Sequence, residues 1–195
     1  KAAGVNFASC EPMNLSVIEI DGLQAIAGTA TSFLPVERYD RQGNERIHAE
    51  DACQMLGRMP AAKYGKEEQF GMLLSLLNAL SPRGVRDVRE FFVRQAVNTL
   101  IGNSDAHLKN FSVLYADKVH PELTPAYDIV CVAALPEFSA YGMNVAVDRM
   151  QRAQTLDTYT ELAKAAGIAQ RIATAAVKAA VSAAQDMWPK MLDEL

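Results

Sequence analysis

The chain is organised around the stretch I-G-N-S-D-A-H-L-K-N-F, residues 101–111, which is dense in ionisable and amide side chains. In the segment before it, apolar residues recur every three or four positions, which is typical of an amphipathic helix: Val88, Phe91, Phe92, Ala96, Val97 and Leu100. Residues 111–115, after it, alternate in the manner of a strand. The pattern predicts a polar loop held between a packed helix and a hairpin.

The spacing of acidic and amide residues indicates what such a loop would do. Asp105 and Asn110 are five positions apart, and Asp128 ends a short apolar segment downstream. Protein kinases use this order of residues for phosphoryl transfer, with one Asp accepting a hydroxyl proton and the Asn and second Asp binding magnesium. The alternative for Asp105 is a turn-forming residue, because Asn103-Ser104-Asp105 also favours a turn.

Four segments, in the same order along the chain, resemble the HipA family of bacterial serine/threonine kinases. Two of them are G-N-S-D-A-H-L-K-N-F-S, which starts at Gly102, and L-T-P-A-Y-D-I, which ends at Ile129. The other two are residues 33–41, similar to the hinge of that family, and residues 46–57, similar to the helix that follows it. A lone D-x-x-x-x-N would be a weak signal, whereas four ordered matches are specific.

The resemblance implies roles for five residues of the loop and hairpin. Asp105 would orient a serine or threonine hydroxyl and accept its proton. His107 and Lys109 would face the transferred phosphoryl group, and Asn110 and Asp128 would bind Mg²⁺. For His107 the alternative is a side chain that staples the loop, and for Lys109 it is a side chain that points to water.

The resemblance also implies that the hinge binds the adenine of ATP. Glu37 and Tyr39 are the candidate contacts on the segment that would form it. The alternative is that Glu37 is a surface residue at a strand end and that Tyr39 is simply half-buried. Both interpretations remain open at this point.

The expected fold is α+β and mainly α-helical: a kinase-like C-lobe with a hinge and short hairpins. Residues 1–41 would be the remnant of an N-lobe with the hinge, and residues 42–195 the helical C-lobe. No G-x-G-x-x-G or P-loop motif is present. We therefore expect the N-lobe to be largely missing, either because the chain is a fragment or because it is a degenerate homologue.

Periodicity, caps and breakers predict the individual elements. The predicted helices are His48–Leu56, Phe70–Leu80, Asp87–Ile101 with Asp87 as N-cap, one from Asp157 or Thr158 to Gly167, and Ala169–Met187 stopped by Pro189. Arg89, Glu90 and Arg94 are expected on the solvated face of the third helix. The predicted strands are Leu15–Ile20, one carried within residues 27–39, Phe111–Tyr115, Leu123–Tyr127 and a short piece around Val145 and Val147.

Bulk properties limit the remaining function classes. The 195 residues, half of them hydrophobic, suit one domain or large lobe with a sizeable core. A net charge of −4 and a pI near 5.4 offer no basic field for direct nucleic-acid binding. No uncharged stretch suits a membrane span. The three cysteines form no C-x-x-C pair, so a cytoplasmic location fits best.

Two functions follow as expectations. The resemblance implies the toxin of a toxin–antitoxin pair, a kinase that uses ATP and Mg²⁺ to phosphorylate a protein such as an aminoacyl-tRNA synthetase. Its partner would be a HipB-like helix-turn-helix antitoxin. The alternative is a non-catalytic kinase-like fragment or binding module that contacts the antitoxin or another partner. A glycine- or serine-rich loop and a lysine upstream in the gene would favour the kinase.

Overall fold

The computed structural model describes residues 2–23, 28–64, 67–134 and 154–193. The helices in these ranges are α1 (Ala52–Met55), α2 (Glu67–Leu80), α3 (Val85–Leu100), α4 (Leu156–Ala165) and α5 (Gln170–Leu192). The strands are β1 (Met13–Asn14), β2 (Ser32–Phe33), β3 (Arg41–Gln42), β4 (Glu45–Arg46), β5 (Ala49–Asp51), β6 (Ser112–Leu114) and β7 (Glu122–Leu123). One-turn 3₁₀ helices cover Leu15–Val17, Pro60–Ala62, Leu108–Asn110 and Val132–Ala134.

The core lies between α3 and the helices packed on it. Phe91 of α3 is fully buried and contacts three other aromatic rings, those of Phe70, Phe92 and Phe111. On the other side α5 presents buried alanines at helical spacing, whose small side chains let the two helices approach closely: Ala173, Ala176, Ala180 and Ala184. The alanine-rich end of the chain therefore packs closely against α3.

The strands form small antiparallel sheets. In the three-stranded sheet β5 pairs with β6 and β6 with β7, so that Glu50 lies opposite Val113 and Val113 opposite Leu123. The β1–β2 pair aligns Met13 with Phe33. Described ranges contain no large parallel sheet. The predicted mixture of helices with short hairpins is therefore confirmed.

Two predicted elements of the first third are wrong. Leu15–Ile20 is not a strand, because the Asn14 side chain accepts a hydrogen bond from Ser16 N at 2.8 Å and starts a 3₁₀ turn. His48–Leu56 is not one helix. Its first half pairs with β6, and α1 begins only after Asp51, which forms a capping box with Gln54.

The start of α3 also differs from the prediction. Its N-cap is Gly84, and Asp87 lies inside the first turn with a buried side chain. The Asp87 carboxylate accepts hydrogen bonds from the Ser81 hydroxyl at 2.7 Å and from Leu123 N at 2.9 Å. Asp87 therefore fixes the β6–β7 hairpin to the helix instead of capping it.

A buried ion pair replaces part of the expected solvated face of α3. Arg94 is 1% exposed, and its Nε donates to Glu90 Oε1 at 2.9 Å. Arg94 also donates to the carbonyl of Thr124, and Glu90 accepts a bond from Asn6 N at 3.0 Å. Of the three charged residues predicted to lie on the solvated face, Arg89 is exposed and the other two are buried. The pair ties the hairpin and the segment around Asn6 to α3.

The C-terminal helices differ from their predicted limits: α4 begins earlier and ends before Gly167, and α5 ends later than Met187. The N-cap of α4 is Thr155, two residues before Asp157. The last helix, α5, continues through Pro189 to Leu192, because a proline removes one hydrogen bond from a helix but does not prevent the turn that contains it. The predicted extended piece around Val145 and Val147 lies outside the described residues.

Candidate active site

The polar loop begins with a sharp reversal after α3. Gly102 adopts a φ of +69°, and its carbonyl accepts a hydrogen bond from Ala133 N at 3.1 Å. Asn103 N then donates to Asn98 O at 2.8 Å, and its amide Nδ2 donates to Asn98 Oδ1 at 2.9 Å. The last turn of α3 therefore fixes both the backbone and the side chain at the start of the loop.

Replacing Gly102 with Ala should disturb this reversal. The new Cβ would lie 2.8 Å from the Ala133 Cβ, and the φ of +69° disfavours any L side chain. Gly43→Ala is the matched control, with a φ of +59° and nothing within 4 Å of the added Cβ. We expect about 1 kcal/mol of lost stability in the control and about 1–3 kcal/mol more at Gly102, measured by urea unfolding. Equal losses would contradict the overlap with Ala133.

Asn103 also bridges the two segments that carry the candidate carboxylates. Its side chain is 2% exposed, its Oδ1 accepts from Asp105 N, and its Nδ2 donates to Asp128 O, both at 3.3 Å. The sequence predicted a turn-shaping role for Asn103, and the contact with Asp105 N agrees with it. The link to Asp128 could not be predicted, because it joins residues of separate elements.

Asn110 and Asp128 are in direct contact. Asn110 Nδ2 donates to Asp128 Oδ2, and Asn110 Oδ1 accepts from His107 N at 2.8 Å. Asp128 has a φ of +57°, a conformation that non-glycine residues seldom adopt and that clusters at functional sites. The structure therefore brings together the two residues predicted to bind magnesium.

His107 is buried inside the loop and is 7% exposed. Its ring is nearly perpendicular to the ring of Tyr64, with centroids 5.4 Å apart, and its Nδ1 has no hydrogen-bond partner among the described residues. Burial, followed by the charge of Lys63, lowers the pKa of His107 below its usual value. The imidazole is therefore neutral near pH 7 and offers a hydrogen bond, not a charge.

Asp105 has a partner that the sequence analysis missed. The Tyr64 hydroxyl donates to Asp105 Oδ1 at 2.7 Å. Burial first, and then this hydrogen bond, raise the pKa of Tyr64, so the phenol stays protonated and remains a donor. No sequence signal marks Tyr64, because it belongs to a polar loop 41 positions upstream with no periodicity.

Lys109 is directed towards Asp51, the N-cap of α1. Its Nζ lies 2.7 Å from Asp51 Oδ2, and this hydrogen bond raises the pKa of Lys109. A role at a phosphoryl group stays a prediction for Lys109, and that role would require the ammonium to leave Asp51.

The two hinge candidates have different surroundings. The Tyr39 ring stacks on Tyr127, the neighbour of Asp128, with centroids 5.8 Å apart and an interplanar angle of 26°. The Tyr127 hydroxyl in turn donates to Lys109 O at 2.6 Å. Glu37 is exposed, and its backbone N–H donates to Ser9 O at 2.8 Å. Tyr39 is therefore packed beside the site, whereas the Glu37 side chain has no such contact in the described structure.

An open cavity of about 580 Å³ lies next to Asp128. Its volume is within the range of small-molecule sites. Most of its lining is apolar and comes from the first described segment, the segment around β2 and the chain after Asp128, including Val5, Phe7, Leu34, Val36 and Ile129.

The donor atoms decide which metal the site suits. In the described ranges no three His, Cys, Asp or Glu residues are grouped to hold an ion. An amide oxygen with one or two carboxylates fits magnesium, which needs few protein ligands and keeps several waters. Asn110 turns its amide nitrogen to Asp128 and its oxygen to His107 N, so holding the ion through Oδ1 would require the amide to rotate and release His107 N. The donor chemistry therefore fits Mg²⁺.

No helix in the described ranges is long and apolar enough to cross a membrane.

Several relatives share much of this sequence. A protein of Sinorhizobium fredii named "Putative kinase Y4mE" is 34% identical over 163 residues, which cover 77% of this chain and 38% of the relative. The "Serine/threonine-protein kinase toxin HipA" of Shewanella oneidensis is 29% identical over 167 residues, 71% of this chain and 33% of that protein. The chain thus spans less than half the length of these relatives.

A solved structure shares the fold. It is a complex of HipA, HipB and operator DNA from Shewanella oneidensis, and its matched chain superposes with a TM-score of 0.72 at 21% identity. The match covers 98% of this chain and 46% of that one. The profile of the HipA-like C-terminal domain matches residues 1–188. The chain therefore belongs to the HipA-like C-terminal domain family.

Proposed function

We propose that the protein carrying this domain is a HipA-like serine/threonine kinase that transfers the γ-phosphate of ATP to a protein hydroxyl. The observation that carries this proposal is the connection of Asp105, Asn110 and Asp128 through Asn103 and through the direct Asn110–Asp128 contact. The order and chemistry of these residues match the base, amide and metal carboxylate of phosphoryl transfer. Relatives named as kinases support it.

Asp105 would act on the acceptor. Its carboxylate would orient a serine or threonine hydroxyl and accept the proton as the oxygen bonds to the γ-phosphorus and ADP leaves. The neutral His107 would donate a hydrogen bond to the phosphoryl group, and Lys109 would supply a charge there if released from Asp51.

Asn110 and Asp128 would hold Mg²⁺ through oxygen atoms. When bound, the metal neutralises charge on the phosphates and orients them for transfer. Tyr39, stacked on Tyr127, would lie against the adenine at the hinge. Glu37 would contribute through its backbone, because its side chain is exposed.

The Asp128→Asn variant should weaken magnesium-dependent ATP binding by about 10-fold or more, because it removes the strongly anionic ligand. Asn tolerates the positive φ of this position, so the loop should keep its shape. Calorimetric titration with ATP, with and without Mg²⁺, separates the magnesium-dependent part of ATP binding from the part that does not need the metal. A loss of the same size without Mg²⁺ would contradict the ligand role.

The proposed context is a cytoplasmic toxin–antitoxin pair. In the structural neighbour the partner is HipB, bound to operator DNA. The partner here would be a helix-turn-helix antitoxin of that type, and the substrate a protein such as an aminoacyl-tRNA synthetase. Residues 1–41 would contribute to the N-lobe and hinge, and residues 42–195 would form the C-lobe.

Radiolabelled ATP tests the proposal directly. The whole gene product, incubated with Mg²⁺ and a degenerate library of serine and threonine peptides, should transfer label to the peptides. No transfer, together with stable binding of a HipB-like antitoxin, would contradict the kinase and favour the binding-module alternative.

A further inference from the structure

We propose that Tyr64 is a positioning residue that holds the Asp105 carboxylate in the orientation needed to receive a hydroxyl proton. The inference rests on the proposed kinase function. It starts from the 2.7 Å hydrogen bond between the Tyr64 hydroxyl and Asp105 Oδ1.

Tyr64 itself is held in place by the loop that it supports. The 3₁₀ turn Pro60–Ala62 leads into Lys63, whose carbonyl accepts a hydrogen bond from Leu108 N at 3.0 Å. The Lys63 ammonium lies 4.8 Å from the centre of the Tyr64 ring, and that ring contacts His107 at an interplanar angle of 77°. The hydroxyl is therefore presented to Asp105 from a segment joined to the loop at His107 and Leu108, just after the candidate base.

Asp105 is restrained at two points. Its backbone N–H donates to Asn103 Oδ1, and its carboxylate accepts from Tyr64. A carboxylate has two oxygens, so a bond to Oδ1 limits rotation of the group and leaves Oδ2 as the proton acceptor. Because a small misplacement of a catalytic group is costly, this restraint should appear in the rate and not in ATP binding.

Tyr64→Phe tests the hydroxyl while keeping the ring. In the whole gene product, with the peptide library as acceptor, we expect kcat to fall about 10-fold with an unchanged KM for ATP. Tyr115→Phe is the matched control, because the Tyr115 hydroxyl donates to the Glu50 carboxylate at 2.6 Å outside the loop. An unchanged kcat in Tyr64→Phe would overturn the proposal, and an increase would show that Tyr64 blocks Asp105.

A second measurement does not depend on activity. The charged groups around the phenol are Asp105, which raises the pKa of Tyr64, and Lys63, which lowers it, while burial raises it most. Asp105→Asn removes the negative charge, so the pKa of Tyr64 should fall. NMR titration of the tyrosine Cζ resonances would measure this fall in the pKa of Tyr64. Tyr115, whose pKa burial and Glu50 raise to about 12, should not change.

The results separate the two proposals. An unchanged Tyr64 titration in Asp105→Asn would overturn the positioning role whatever the activity. Full transfer by Asp105→Asn would refute Asp105 as the base and overturn the positioning role with it, whereas absence of transfer by the wild-type protein would contradict the kinase assignment. Loss of transfer in Asp105→Asn with wild-type kinetics in Tyr64→Phe would overturn the positioning role alone.

Discussion

Asp105→Asn should lower the rate of phosphoryl transfer by about 10²–10⁴-fold while leaving the fold intact. The amide has the shape of the carboxylate and its oxygen can still accept the hydrogen bond from Tyr64, but it cannot take a proton. Initial rates with radiolabelled ATP measure the effect, and the thermal midpoint from circular dichroism checks the fold.

Asp117→Asn is the control for that measurement. Asp117 is an exposed carboxylate paired with His120 in the turn after β6, outside the candidate site. Its replacement should leave the transfer rate unchanged. Wild-type transfer by Asp105→Asn would refute the role of Asp105 as the base.

Arg94→Met should destabilise the protein by about 3–5 kcal/mol, because it leaves the Glu90 carboxylate buried without its counter-charge. The carbonyl of Thr124 would also lose its donor. Urea unfolding of the whole gene product measures the change in the free energy of unfolding.

Arg89→Met, on the exposed side of the same helix, is the control and should change stability by about 0.5 kcal/mol or less. A combined Arg94→Met and Glu90→Leu variant should recover part of the loss, since no unpaired charge then remains buried. A loss at Arg94 no larger than at Arg89 would show that the pair contributes nothing to stability.

Helix α3 shows what the spacing of apolar residues can and cannot predict. The spacing of Val88, Phe91 and Phe92 predicted the apolar face of α3, and the structure buries all three. It could not predict that Glu90 and Arg94 are buried too, because a charged residue looks solvent-facing until its partner is known. Besides each other, the partners of Glu90 and Arg94 are Asn6 and Thr124, which lie far away in the chain.

Local helix propensity gave a wrong prediction where a segment pairs with a strand that is distant in the sequence. His48–Leu56 has good helix formers, yet residues 49–51 pair with β6, which lies some sixty positions later. Such non-local pairing overrides a weak local preference.

The candidate site was predictable where the signal was spacing along one segment. Asp105, Asn110 and Asp128 were found this way, and the structure brings Asn110 and Asp128 into contact. Tyr64 and the pairing of Lys109 with Asp51 were not predictable, since each contact joins the loop to a residue more than forty positions upstream. Side-chain direction at such contacts depends on the assembled fold.

The buried pair on α3 has a consequence for synthesis on the ribosome. The backbone of Asn6 bonds to Glu90 and to Ala126, and Ala8 N also donates to Ala126 O. The two bonds to Ala126 cannot form until translation has passed that residue, although Asn6 and Ala8 are among the first described residues to be made. The segment around Asn6 and Ala8 therefore docks only after the β6–β7 hairpin has emerged from the ribosome. Closing the long loop between this segment and Ala126 is a late step of folding.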